Sequence, residues 1–141
     1  MRKIVPIILV LFLVSCSSTK TTGDKPLYEV LTTNNDGGAN IKFYEILTEP
    51  KEIMMLLSDE TLRKKIDKND TTNSSFIILN SGPTKESYNR VKIDRVVETD
   101  NFIEVYVKDT QKSVEPDLAD DSIVFPYTII KINSKKQIII K

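Results

Sequence analysis

Val91-Lys92-Ile93-Asp94-Arg95-Val96-Val97-Glu98-Thr99-Asp100-Asn101-Phe102-Ile103-Glu104-Val105-Tyr106-Val107-Lys108 is the stretch that decides the fold class. Val91, Ile93 and Val97 alternate with polar residues over most of 90–98. After the polar Thr99-Asp100-Asn101, the next run puts Ile103, Val105 and Val107 on one face. Successive side chains of a strand point to opposite faces, so two alternating runs about a short polar turn predict an antiparallel hairpin with one face buried. Upstream, Phe76-Ile77-Ile78-Leu79 is a continuous apolar run of strand length, which predicts a central strand covered on both faces. Leu27 to Thr32 and Ile41 to Leu47 read as two further strands, separated by the turn-rich Asn34-Asn35-Asp36-Gly37-Gly38. Downstream, Val124 to Ile132 and Gln137 to Ile140 predict a second strand pair about Asn133-Ser134-Lys135-Lys136.

Between the second and third strands the period changes. Pro50 stands where a first helical residue can stand, with Thr48 or Glu49 as cap. Ile53, Leu56 and Leu57 share a helical face, and Met55, Leu62 and Ile66 fall at helical spacings, so a helix is predicted over 51–66 with a break near Ser58. Lys64, Lys65 and Lys68 near its end suit the helix dipole. Asn69 to Ser75 reads as polar loop, and no internal repeat is visible. The expected architecture is an α+β domain over 27–141, an antiparallel sheet of about five to seven strands with one helix packed on it.

The N-terminus carries a different signal. Arg2 and Lys3 precede an apolar run from Ile4 to Val14, interrupted by Pro6. At about 1.5 Å per residue the run spans roughly 16 Å, about half a bilayer core, so it is a secretory signal and not a transmembrane anchor. Its end, Leu13-Val14-Ser15-Cys16, resembles the lipobox of bacterial lipoprotein precursors: an aliphatic residue, a tolerant position, a small residue, then cysteine. The resemblance implies cleavage after Ser15, a diacylglyceryl group on the Cys16 thiol, and a freed amino group open to acylation by a chain such as palmitate. Two or three acyl chains, at about 0.8 kcal/mol per buried methylene, hold a small domain firmly on a membrane. The expected organisation is a signal peptide over 1–15, a lipidated Cys16 with a flexible tether over 16–26, and one domain over 27–141. Ser17 to Asp24 has neither an apolar residue nor a period, as a spacer requires. The expected location is the cell envelope, anchored by Cys16 to a membrane, with the outer membrane favoured. The tether lacks the acidic run that some bacterial phyla place after the cysteine of surface lipoproteins, which points weakly to the periplasmic side.

Composition narrows the chemistry. Loss of residues 1–15 takes Arg2 and Lys3 with it, leaving 126 residues with 18 basic and 20 acidic side chains, a formal charge of −2. No basic excess remains to grip a phosphate backbone, so nucleic acid is not an expected partner. Cys16 is the sole cysteine of the chain and histidine is absent. An intramolecular disulfide, Ser-His-Asp and Cys-His nucleophilic sites, histidine-ligated zinc and histidine acid–base chemistry are thereby excluded. Paired carboxylates remain possible in principle. The densest acidic group, Asp117, Asp120 and Asp121, lies in 113–122, which reads as a solvated loop. Thr32-x-Asn34-x-Asp36-Gly37 matches part of an EF-hand loop, but Thr replaces the first ligand and Phe43 the closing glutamate, so it reads as a turn. No cofactor and no metal are expected.

Two features invite a binding role. Gly82-Pro83-Thr84-Lys85-Glu86-Ser87-Tyr88 joins the central strand to the hairpin as a surface connection or a binding loop on a rigid frame. Phe102, Tyr106 and Tyr127 could form an aromatic contact stripe, although aromatics on strands more often cover a sheet face. Phe76-Ile77-Ile78-Leu79-Asn80-Ser81-Gly82, the loop through Tyr88, the hairpin, and Phe125-Pro126-Tyr127-Thr128-Ile129-Ile130-Lys131-Ile132 together resemble the C-terminal domain of the protease-complex subunit PrcB, over roughly 41–141. Where that family has a Thr-Gly-Gly-Tyr loop this chain has Lys85 and Glu86 for the glycines and Ser87 before Tyr88. Only Thr84 and Tyr88 therefore carry over from that loop, with Tyr127 from the closing Pro-Tyr strand. The resemblance implies an envelope lipoprotein that binds and stabilises a partner protease without catalysing a reaction. A small-ligand or glycan binder is the competing expectation and requires an apolar pocket between helix and sheet. A carboxylate-dependent hydrolase is the third, and requires two acids converging in a cleft.

Overall fold

Seven strands form among residues 25–85, 91–109 and 122–141, the residues that the computed structural model describes. They are β1 (Tyr28–Asn34), β2 (Lys42–Leu47), β3 (Ser75–Ser81), β4 (Val91–Glu98), β5 (Phe102–Asp109), β6 (Tyr127–Ile132) and β7 (Gln137–Ile140). One sheet is antiparallel with the order β1-β6-β3-β2, and the other has the order β4-β5-β7. Three short helices, α1 (Pro50–Leu56), α2 (Glu60–Arg63) and α3 (Asp70–Asn73), complete an α+β fold that is mostly β.

The apolar run of β3 behaves as its composition dictates. Ile77 and Leu79 pack with Ile130 and Ile132 of β6 against Val91, Ile103, Val105 and Ile138 of the second sheet. On the opposite face Phe76, with Leu31 and Ile129, packs against Ile53, Leu62 and Ile66 of the helical segment. The four-stranded sheet is thus the middle of three layers, and each fully buried aliphatic side chain on it contributes roughly 2 kcal/mol. The hairpin of β4 and β5 forms as its alternation requires, with a register shift between Ile93 and Arg95 that re-aims the edge strand.

Three local expectations are corrected. The strands flanking 133–136 do not pair with one another: β6 lies in the four-stranded sheet, while β7 crosses to the other sheet and runs parallel to β5. The polar linker is a passage between the two sheets, because β7 pairs with the edge of β5 that β4 leaves open. The one helix predicted over 51–66 parts at the break expected near Ser58 into two short helices, the second ending at Arg63. Asp59 accepts from the Thr61 and Leu62 backbone N–H groups and so caps a new helix where the first one ends. The stretch read as polar loop contains α3, whose first residue, Asp70, is buried.

The molecule has two distinct ends. At one, Asn133 N–H donates to the Leu27 carbonyl over 2.9 Å and Asn133 Nδ2 to the Pro26 carbonyl over 2.6 Å, beside the Tyr28–Ile132 and Ser75–Ile132 pairs. The other is marked by the cross-strand row Asn34–Tyr127–Asn80–Phe43. There Lys42 also meets Asp109 across the two sheets. At about 3.4 Å per residue, β1 separates the two ends by roughly 20 Å.

Candidate functional site

The end farther from Leu27 is built around Asn80. This asparagine is 2% exposed, and it sits where the apolar run of β3 runs out. Its Oδ1 accepts from the Ala39 N–H over 2.9 Å, and its Nδ2 donates to the Ala39 carbonyl over 2.9 Å and also to the Ile41 carbonyl. A buried amide is stable only when satisfied, and here the backbone of the 35–41 connection satisfies it. Gly38 lies between Asn80 and the 122–126 segment, donating from its N–H to the Phe125 carbonyl over 2.7 Å. A Cβ at 38 would stand 2.6 Å from that carbonyl oxygen and closer still to Asn80 Oδ1, so no other residue fits. Gly82 adopts φ +70° and would drive a Cβ to 2.9 Å from Lys42 N, which ties β3's exit to the start of β2.

The 122–126 segment is held as firmly. Phe125 N–H donates to Asp36 Oδ1 over 3.0 Å, and Ser81 N–H donates to the Pro126 carbonyl over 2.9 Å. Thr84 and Val124 form an isolated antiparallel bridge through 3.0 Å and 2.9 Å hydrogen bonds. Three connections, 35–41, 82–85 and 122–126, are therefore knitted into one surface. On it Ile41 stands 62% exposed. Beside it the Asp109 carboxylate, hydrogen-bonded to the Lys42 ammonium, holds the Lys42 pKa above its ordinary value in spite of partial desolvation.

The residues singled out from sequence fall in three places. Thr84 is 1% exposed, so its side chain belongs to the interior and its backbone to the bridge. Tyr127 is half-buried on the same end, its hydroxyl accepting from Asn34 Nδ2 over 2.5 Å. Tyr88, Cys16, the segment 1–24, and Asp117, Asp120 and Asp121 lie outside the described residues. Phe102 and Tyr106 lie on the second sheet, apart from Tyr127, so no single aromatic stripe exists. The Tyr106 ring lies under the Arg95 guanidinium at 3.7 Å, and its hydroxyl donates to Glu104 Oε2 over 2.9 Å. An open depression beside it is lined by Asp94, Val107, Lys108 and Lys141. Asn34 and Asp36 of the EF-hand-like stretch spend their side chains on Tyr127 and Phe125. Among the described residues no group of three or more acidic, histidine or cysteine side chains could hold a metal ion.

A second buried polar group lies at the opposite end. Lys131, on β6, is 5% exposed and pairs with Asp70 at 3.2 Å and Glu29 at 3.3 Å. Asp70 Oδ2 also accepts from the Asp67 N–H over 2.9 Å. Burial pulls the Lys131 pKa down, but the hydrogen bonds and charges of Asp70 and Glu29 outweigh it and the net direction is upward. A lysine held protonated in this way cannot serve as a base or amine nucleophile at neutral pH. The cluster fastens α3 to the sheet.

Sequence reading passed over Ile41, Asn80 and Lys131. The only signal for the last two is a polar residue interrupting or ending an apolar run, which marks a buried polar group without naming its partner. No helix among the described residues is long and apolar enough to cross a membrane. In comparisons with known proteins, no family model matches the chain, and neither a curated protein nor a solved structure matches it.

Proposed function

We propose that this protein is a non-catalytic lipoprotein, held on an envelope membrane through Cys16, that binds and stabilises another envelope protein, a protease in the leading reading. The observation that supports it best is the polarity of the domain. The chain enters at Pro26–Leu27, while the rigid surface around Asn80, Gly38 and the Thr84–Val124 bridge lies at the other end of β1. A tether at one end leaves the other directed away from the bilayer and available to a partner. The side-chain inventory agrees, since the exported part lacks histidine and its cysteine is assigned to the lipid.

Metabolic labelling with a lipid precursor, followed by affinity capture from detergent-solubilised membranes, tests both halves. Wild type is expected to incorporate label and co-purify an envelope protease; Cys16→Ala is expected to lose the label and leave the membrane fraction. Tyr88→Ala, from the loop that the PrcB resemblance points to, is the contact variant. Thr84→Ala is the stability control, because its side chain is interior. An unacylated protein secreted in soluble form, or a purified domain that turns over a substrate, contradicts the proposal.

A further inference from the structure

We infer that Met54 and Met55 form a surface oxidation site, which takes up oxygen from peroxide-class oxidants and yields it to methionine sulfoxide reductases while the domain stays folded. The inference goes beyond the binding role above and does not depend on it. Apart from Met1 these are the chain's only methionines, and they are adjacent on α1. Ile53, just before them, is fully buried in the cluster that holds Leu31, Phe76 and Ile129 of the sheet. At about 100° per residue, the next two side chains turn away from that cluster. Met54 is accordingly 61% exposed and Met55 74%, while Leu56 and Leu57 come round to pack against the cluster again. Helical spacing alone groups Met55 with Leu62 and Ile66, but α1 ends at Leu56 and α2 starts at Glu60, so the shared face never forms.

Exposure decides the chemistry. A thioether sulfur is soft and polarisable, and access governs its oxidation. The sulfur lone pair attacks one peroxide oxygen; the O–O bond breaks as the S–O bond forms, and the displaced oxygen leaves as water after a proton shift. Each methionine loses two electrons and each peroxide gains them. A buried methionine that becomes a polar sulfoxide disrupts its core, but neither side chain here is packed in one. What holds α1 lies elsewhere: Pro50 in its first turn, the reciprocal Glu49–Glu52 capping box, and buried Ile53. At the helix end the Leu57 and Ser58 N–H groups donate to the Met54 and Met55 carbonyls, and Ser58 Oγ also donates to the Met55 carbonyl. The two methionines thus serve the fold through their backbone and leave their sulfurs to solvent. An open site gives both sulfoxide epimers, each the substrate of its own reductase class, and the access that admits the oxidant also admits the repair enzymes.

The test treats the full-length protein in detergent with excess hydrogen peroxide, folded or in urea, and follows oxygen uptake at 54 and 55 by peptide mapping. The folded-state rate at each position is expected to lie within roughly threefold of the unfolded-state rate, because neither sulfur is shielded. Treatment is expected to lower the melting temperature of wild type by no more than about 2 °C beyond its effect on Met54→Leu/Met55→Leu, the variant that has no sulfur to oxidise there. The two reductase classes together, with a thiol reductant, are expected to return both residues to methionine. Protein harvested from cells during peroxide exposure should carry sulfoxide at the same two positions. Stronger protection of either residue in the folded state overturns the inference, as does a larger fall in melting temperature. Sulfoxides that resist both reductase classes, or their absence from the protein of exposed cells, overturn it as well.

Discussion

Asn80 and Lys131 are both polar, both nearly inaccessible, and placed toward opposite ends of the same four-stranded sheet, yet they solve the burial problem differently. Lys131 is a charge matched by charges, Asp70 and Glu29. Asn80 is neutral and matched by backbone, the Ala39 peptide and the Ile41 carbonyl. A buried ion pair fastens one packed element to another, here α3 to β6. A buried amide dictates the path of a loop, because only one backbone trace places a donor and two acceptors around it. The end near the chain entry is therefore clamped, and the far end is shaped, which is the difference expected between an attachment point and a contact surface.

The largest effect should come from splitting the charged cluster. Lys131→Met leaves the Asp70 carboxylate, whose side chain is 4% exposed, without its cation, and is expected to cost about 3–5 kcal/mol in urea unfolding. Adding Asp70→Leu should recover most of that loss, since a buried pair is often replaceable by apolar side chains. If the single variant is as stable as wild type, the clamp is not structural. Gly38→Ala should follow at roughly 2–3 kcal/mol, from overpacking against Asn80 and the Phe125 carbonyl. Next comes Asn80→Ala, at about 1–3 kcal/mol, which strips the 39–41 backbone of its partners. Its sharper signature is local: limited proteolysis should open 35–41 before the rest, whereas Lys131→Met should expose the α3 segment first.

A smaller effect is linked to pH. The Lys131 pKa is raised in the folded state above the ordinary 10.5. Its contribution is therefore fully present below 10.5 and is lost as pH climbs from there through the folded value. Comparing the alkaline stability profiles of wild type and Lys131→Met isolates this from Lys42 and Lys141, which are also raised but exposed or partly so. Wild type should lose its advantage over the variant as the solution becomes more alkaline. A constant difference across that range would remove Lys131 as the titrating group.

The clamp and the shaped end were legible in the sequence to different degrees. Alternation in 91–108 and continuity in 76–79 reveal the strands and the doubly covered centre, because burial on one face or two leaves a direct imprint on residue order. The parting of β6 and β7 leaves none: 133–136 is as polar and short as a hairpin turn, and it is the edge of β5, remote in sequence, that pairs with β7. The break after α1 is local and readable in Asp59, an N-cap residue in mid-pattern. α3 is not, since Asp70-Thr71-Thr72-Asn73 has weak helical propensity and depends on Lys131, far along the chain, for its position. At the far end, Thr84 and Tyr127 lie in the region proposed for contact, but Thr84 is interior and Ile41 reads from sequence as one more strand residue. What distinguishes Ile41 is its 62% exposure, a property of the assembled fold.

The proposed orientation of the domain on a membrane tests the whole arrangement most directly. If Cys16 carries the proposed lipid, a second cysteine can be labelled alone, so Ser134→Cys near the chain entry and Asn40→Cys at the far end each accept one fluorophore. In vesicles carrying a headgroup quencher, the label at 134 is predicted to be quenched markedly more than the label at 40. Equal quenching, or stronger quenching at 40, would contradict a domain tethered at one end and presenting the other.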